Sequence, residues 1–222
     1  MSGHILHTLL HALRHSIPEA QESMHTYFRD HQIEAAEKTI MVCATVAAAS
    51  GVAAGWFPGV GSIVAIGTMT VTVWTMYVKV NKDLGISIKK NLLKFIASAF
   101  VSNLAANVGS VAAWLGIAFL LSLIPGGGSV PSAIINGIMG FVVTYASAIL
   151  YINLLTKMFK AKGSVDAFTD KDELKTMIDE VNQEADLKGI VKEAKAEYKK
   201  AKKSGDLDRA KAQCKNEENL SK

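Results

Sequence analysis

Charged residues are missing from two long stretches of this 222-residue chain. From Thr39 to Val78, and again from Phe95 to Thr156, there is no Asp, Glu, Lys or Arg. No ionisable residue lies deep in either run, which excludes the usual mark of a proton or ion relay. Cysteine is nearly absent too. Cys43 falls in an apolar run and Cys214 in a charged tail, an arrangement that excludes a disulfide framework. No histidine follows His31. Catalytic motifs are lacking: there is no G-x-x-x-x-G-K-[ST], H-E-x-x-H or C-x-x-C, and no G-x-S-x-G. The expectation is a protein that is not an enzyme and has no cofactor or resident metal. A net charge of +4 is too small to argue for nucleic acid, and no cleavable secretory signal is read at Ser2 to Ser16.

What the chain does have is a pattern of two apolar hairpins. A basic island separates the charge-free stretches, with Lys79, Lys82, Lys89, Lys90 and Lys94 against Asp83 alone. Each stretch is broken near its middle by a turn signature, Pro58, Gly59, Val60, Gly61 and Ser62 in the first and Pro125, Gly126, Gly127, Gly128 and Ser129 in the second. Proline clashes with the preceding helical turn and glycine opens left-handed φ, so neither element continues a helix. These glycines do not follow a strand and no lysine follows them, so they do not read as phosphate loops.

The arms have membrane-like lengths. Thr39 to Phe57 would make a helix of about 28 Å, close to a hydrocarbon thickness of about 30 Å. Ile63 to Val80 forms the return. Asn91 to Ile124 would be about 51 Å long, too long for one upright crossing, and residues 132–156 return from it. Both returning arms end in Tyr, Asn and Lys (Tyr77, Asn81, Lys82; Tyr151, Asn153, Lys157), which reads as an internal repeat.

Charge then sets direction. Lys157 and Lys160 join Lys38 and the island at one end of both hairpins, while the two turns carry no charge. A lysine at mid-membrane costs roughly 2.5–3.5 kcal/mol, so the basic ends stay on the side of synthesis. The sequence therefore predicts an all-α integral membrane protein of the cytoplasmic (inner) membrane, with about four membrane helices in two hairpins over 39–160. Both termini are placed in the cytoplasm. A soluble bundle that buries a hydrophobic hairpin is the rival reading of the same arms, which are rich in Ala, Gly and Ser.

Polar and small residues within the arms suggest contacts. Ser102, Asn103, Asn107 and Ser110 share one side of the long arm, where small and amide residues allow close helix packing or line a water-filled passage in an oligomer. Gly51 and Gly55, and Gly137 and Gly140, are further close-packing candidates. In the N-terminal segment, 1–38, Ile5, Leu6, Leu9, Leu10 and Leu13 make one apolar helical face. His4, His7, His11 and His15 lie on the complementary face. His7, His11 and His15 are spaced to share a metal or to titrate together as pH falls. The bland alternative is a surface helix that happens to use histidine.

After Lys162 the composition changes. Thr169 is the candidate N-cap of a helix with acidic residues Asp170, Asp172 and Glu173 in its first turn. Leu174, Met177, Ile178 and Val181, then Leu187, Ile190, Val191, Ala194, Tyr198 and Ala201, give an apolar stripe. Residues 164–222 thus read as a soluble helical arm, interrupted at Gly205.

The order of features resembles the YcjF-like, GTPase-associated family of bacterial membrane proteins, a domain of unknown function. The likeness is carried by the Ala-rich arm at 41–55, the first turn, Trp74 with Tyr77, the run Lys82 to Gly85, and Ile124 to Gly126 with the returning arm. It covers residues 36–160 and implies an inner-membrane helical domain often fused to, or encoded beside, a P-loop GTPase. This chain has no GTPase domain of its own, so that partner would be a separate cytosolic protein. The expected function is a homo-oligomeric protein of the lipid bilayer, offering its terminal arm to such a partner. A pore or channel, and a membrane-shaping hairpin protein, are the alternatives.

Overall fold

The computed structural model describes residues 26–50, 62–122, 132–165 and 170–210, with 212; at 62–66, 107–122 and 132–136 it describes the helix backbone alone. Within these residues the protein is all-α. Six helices occur in order: α1 (Asp30–Ser50), α2 (Ser62–Leu84), α3 (Lys90–Ser122), α4 (Ser132–Lys162), α5 (Lys171–Glu184) and α6 (Leu187–Lys203). A short helical stretch follows at 206–210.

The four arms read from the sequence are α1 to α4, with shifted bounds. The polar stretch Asp30 to Lys38 and the apolar arm after it form one helix, α1, since nothing in Asp30 to Lys38 breaks a helix. At the other end of the first hairpin, α2 stops where Gly85 takes φ +72°. There the Ile86 amide donates to the Asn81 carbonyl at 2.9 Å and the Gly85 amide to the Lys82 carbonyl at 3.2 Å, the paired bonds of a Schellman stop that needs a left-handed residue.

The core forms around α4, which packs against each of the other five helices. Its residues are buried from Gly137 to Thr156. Phe28 lies against Phe159 at the chain's charged end, and Gly137 and Gly140 lie against Ala48 and Ala47 further along, so α1 and α4 run antiparallel. A short loop makes α2 and α3 antiparallel as well. The α2–α4 pair is parallel, since Tyr77 meets Ser147 and Asn81 meets Tyr151.

The C-terminal helices do not stand apart as an arm. Helix α5 packs on α3 and α4, and α6 on α4. Both are amphipathic and bury the stripe predicted for them: Leu174, Ile178 and Val181 from α5, and Ile190, Val191, Ala194, Tyr198 and Ala201 from α6. Burying a large aliphatic side chain contributes about 1.5–3 kcal/mol, and α4 offers the apolar surface to receive it. The cap of α5 is Asp170 rather than Thr169: its carboxylate accepts from the Asp172 amide at 2.9 Å.

About four membrane helices are expected from the sequence. Among the described residues one stretch, Gly137–Lys162, is long and apolar enough to cross a bilayer, and 94% of its apolar window is buried within the protein. Among the described residues α1 carries Glu34, Glu37 and Lys38, and α2 carries Lys79, Lys82 and Asp83, too many charges for an 18-residue apolar stretch.

Candidate functional site

Two features combine chemistry with position: a charged end and a polar spine inside the bundle. The C-terminus of α2, the N-terminus of α3 and the C-terminus of α4 meet at the same end. Lys79, Lys82, Lys89, Lys90, Lys94 and Lys160 are all exposed there. Lys157 is engaged differently. Its ammonium donates to Glu180 at 3.0 Å and Glu184 at 2.7 Å, tying α4 to α5. Burial opposes the Lys157 charge, but the two carboxylates outweigh it and leave its pKa raised. Lys162 pairs with Glu173 at the same junction. At this end an open cavity of about 920 Å³ lies between Tyr27, Arg29, Gln32, Leu84 and Phe159. Tyr27 stacks on Phe159 at 4.8 Å.

Above the basic end the outward faces carry no charge. Val42 and Val46 of α1 are 51% and 37% exposed, and Val71 of α2 is 54% exposed. Thr68 and Thr75 of α2, and Ser98, Ser102 and Ala106 of α3, are exposed as well. The α5–α6 side is the opposite, rich in lysine and carboxylate outside its apolar stripe.

Between α2 and α4 lies the polar spine. Tyr77 and Tyr151 are fully buried. The Tyr77 hydroxyl donates to the Ser147 carbonyl at 2.9 Å, and the Tyr151 hydroxyl donates to Asn81 Oδ1. Thr144, Tyr145 and Asn153 extend the buried polar set along α4. Neither amide atom of Asn153 has a hydrogen-bond partner among the described residues, nor do Thr144 Oγ1 and the Tyr145 hydroxyl.

The predicted site residues are dispersed. Asn103 is half-buried beside Asp179, Asn182 and Gln183, lining a notch of about 410 Å³ between α3 and α5. Ser102, one position before it, is exposed. Asn107 and Ser110 belong to α3, but their side chains lie outside the described residues, as does that of Ser62, which opens α2. Pro58, Gly59 and Gly61, Pro125, Gly126, Gly127, Gly128 and Ser129, and His7, His11 and His15 also lie outside them. Among the described residues no group of three His, Cys, Asp or Glu side chains is placed to hold a metal.

Sequence reasoning put the polar side on α3 and missed the spine on α4. A signal was present: Thr144, Tyr145, Ser147, Tyr151, Asn153 and Thr156 interrupt an otherwise apolar helix. It also noted that Tyr77 and Tyr151 recur in the repeat, though not that they touch.

Compared with known protein families, with curated proteins and with solved structures, the chain finds no match.

Proposed function

We propose that this is a non-enzymatic protein of the cytoplasmic membrane, whose charge-free hairpin ends dip into the bilayer while the charged end and α5–α6 face the cytoplasm. One observation carries the reading. The lysines of α2, α3 and α4 gather at a single end, and the outward faces of α1, α2 and α3 above them are charge-free. Lysines so placed suit an anionic headgroup layer on the cytoplasmic side, worth about 1 kcal/mol each near the surface.

The position of α5 and α6 limits how deep the hairpins go. These charged helices flank the Gly137–Lys162 stretch, and α4 continues only from Gly137 back to Ser132, about 7.5 Å of helix. That supports insertion of the hairpin ends into one leaflet, since a full crossing needs about 30 Å of hydrocarbon-compatible length. The outer faces of α5 and α6 remain as a cytosolic docking surface. A P-loop GTPase is the partner class that the family resemblance implies, and the exposed small residues Ser98, Ser102 and Ala106 of α3 offer a face for self-association.

Alkaline carbonate extraction tests the membrane reading, with retention in the pellet as the expected result. Release into the supernatant defeats it. Cysteines placed at Ser62 and Ser129 then report depth: protection from impermeant maleimide on both faces of the membrane is expected. Labelling from the far face would replace leaflet insertion with full spans, and planar-bilayer currents from reconstituted protein would favour a pore.

A further inference from the structure

Helix α6 is charged in a way that its own stability does not explain. It holds seven lysines against two glutamates. Lys188, Lys192, Lys195, Lys199 and Lys202 follow a 4-3-4-3 spacing, which sets them in one seam about 21 Å long. Lys188, Lys192, Lys199 and Lys202 are exposed, and Lys195 is half-buried beside the apolar stripe. Glu193 and Glu197 fall on other sides of the helix, and Lys200, off the seam, pairs with Glu197.

Local electrostatics opposes this arrangement. Helix N-termini favour carboxylates, and α5 follows the rule with Asp172 and Glu173. Helix α6 has no acidic residue in its first turn and places Lys188 there instead. Like charges at i, i+4 also destabilise a helix. At Lys195, burial and then the Lys199 ammonium hold the pKa below the ordinary lysine value. An anionic neighbour relieves this crowding.

Three features decide what kind of anion fits. Gly189 and Ala196, one heptad apart, border the seam beside Lys192 and Lys199, and Ala196 is exposed. Small residues at that interval let a second helix lie close. Second, α6 runs antiparallel to α4, since Glu184 just before it binds Lys157 while Tyr198 meets Phe141. The seam therefore runs along the hairpins, and a flat headgroup layer meets only one end of it. Third, the seam has no arginine, and Tyr198, the aromatic residue of α6, is buried, so nothing there stacks on nucleic-acid bases.

We propose that the α6 seam docks an acidic helix of a cytosolic partner, whose carboxylates repeat the 4-3 spacing and sit against the five lysines. This rests on the reading that α5 and α6 face the cytoplasm, and it names the docking face and the partner's chemistry.

The probe is a fluorescein-labelled, alanine-based helical peptide with glutamates at 4-3 spacing, compared with an isomer whose glutamates are spread around the helix. Fluorescence anisotropy is measured with the full chain in neutral detergent at physiological salt. The seam peptide should bind about tenfold tighter than the isomer, since complementary charge gives specificity. Lys188→Gln with Lys195→Gln and Lys202→Gln should abolish the difference, and Lys82→Gln with Lys89→Gln and Lys90→Gln should leave it intact. A second variant covers misfolding of the first: Lys188→Glu with Lys192→Glu and Lys199→Glu should transfer the preference to a peptide with lysine in place of glutamate. Equal affinity for the two isomers, or no change in the α6 variants, would overturn the proposal. Tighter binding of a single-stranded oligothymidine would overturn it in favour of nucleic acid, and loss of phosphatidylglycerol-vesicle binding alone would assign the lysines to lipid. A chain released by carbonate that still prefers the seam peptide would sink the membrane reading and leave this one standing.

Discussion

Tyr77 and Tyr151 stack with ring centroids 4.0 Å apart and 14° between their planes, at the centre of the parallel α2–α4 contact. Each hydroxyl reaches a group four positions from the other ring: Tyr77 bonds to Ser147 O and Tyr151 to Asn81 Oδ1. Two parallel helices are thus pinned in register by a reciprocal pair. A shift of one turn would strand both hydroxyls in the core.

Removing this pair should be costly and non-additive. Tyr151→Phe leaves Asn81 Oδ1 without its donor in a buried site, a penalty of about 1–3 kcal/mol. Tyr77→Leu and Tyr151→Leu, measured singly and together by urea unfolding, should show a coupling of about 0.5–1.5 kcal/mol from the stack. Additive losses would mean that the rings merely fill space.

Asn153 should behave oppositely. It is fully buried and neither amide atom is hydrogen-bonded among the described residues. Asn153→Leu keeps the branching at Cγ and removes the desolvated amide, so stability should rise by about 1–3 kcal/mol. A loss of stability would show that the amide is satisfied by water in the folded protein.

Glycine sets the α1–α4 distance. A Cβ at Gly140 would lie 2.6 Å from the Ala47 carbonyl oxygen, and one at Gly137 would lie 2.9 Å from that of Ala48. Both obstacles are backbone, so Gly140→Ala must push the helices apart and should cost about 1–3 kcal/mol as overpacking. Gly67→Ala is the control, with nothing within 4 Å of its Cβ. It should gain up to about 1 kcal/mol from helix propensity. Thermal unfolding of the two variants, shifted in opposite directions, is the expected outcome.

Lys157 fastens α5 to α4 in a pH-dependent way. Its folded pKa is raised above the model-compound value of 10.5, so its contribution is fully present below about that pH and is lost as pH rises through the folded value. Lys157→Met should therefore lower stability by about 0.5–1 kcal/mol at neutral pH. The difference from wild type should shrink as pH climbs beyond 10.5. A pH-independent difference would assign the effect to packing of the lysine stem.

Much of the helical architecture could be read in the sequence, because local rules decide it. Apolar runs without charge, Pro-Gly breaks and the stripes of α5 and α6 depend on period and turn chemistry alone. The basic end was legible for the same reason, since lysines at helix ends group together once the hairpins are drawn. The candidate site was less legible. Asn103 lies in a notch against α5, a neighbour its spacing alone does not name, and the buried polar row belongs to α4.

What the amino-acid order determined by itself is where helices start and stop, which faces are apolar, and at which end the cations collect. Only the tertiary structure decided that α5 and α6 close over α4 instead of standing in water, and that Tyr77 finds Tyr151. The physical reason is that an apolar stripe specifies a need for burial but not its partner. For α4, lipid and the stripes of α5 and α6 satisfy that need equally well on paper, and packing geometry made the choice.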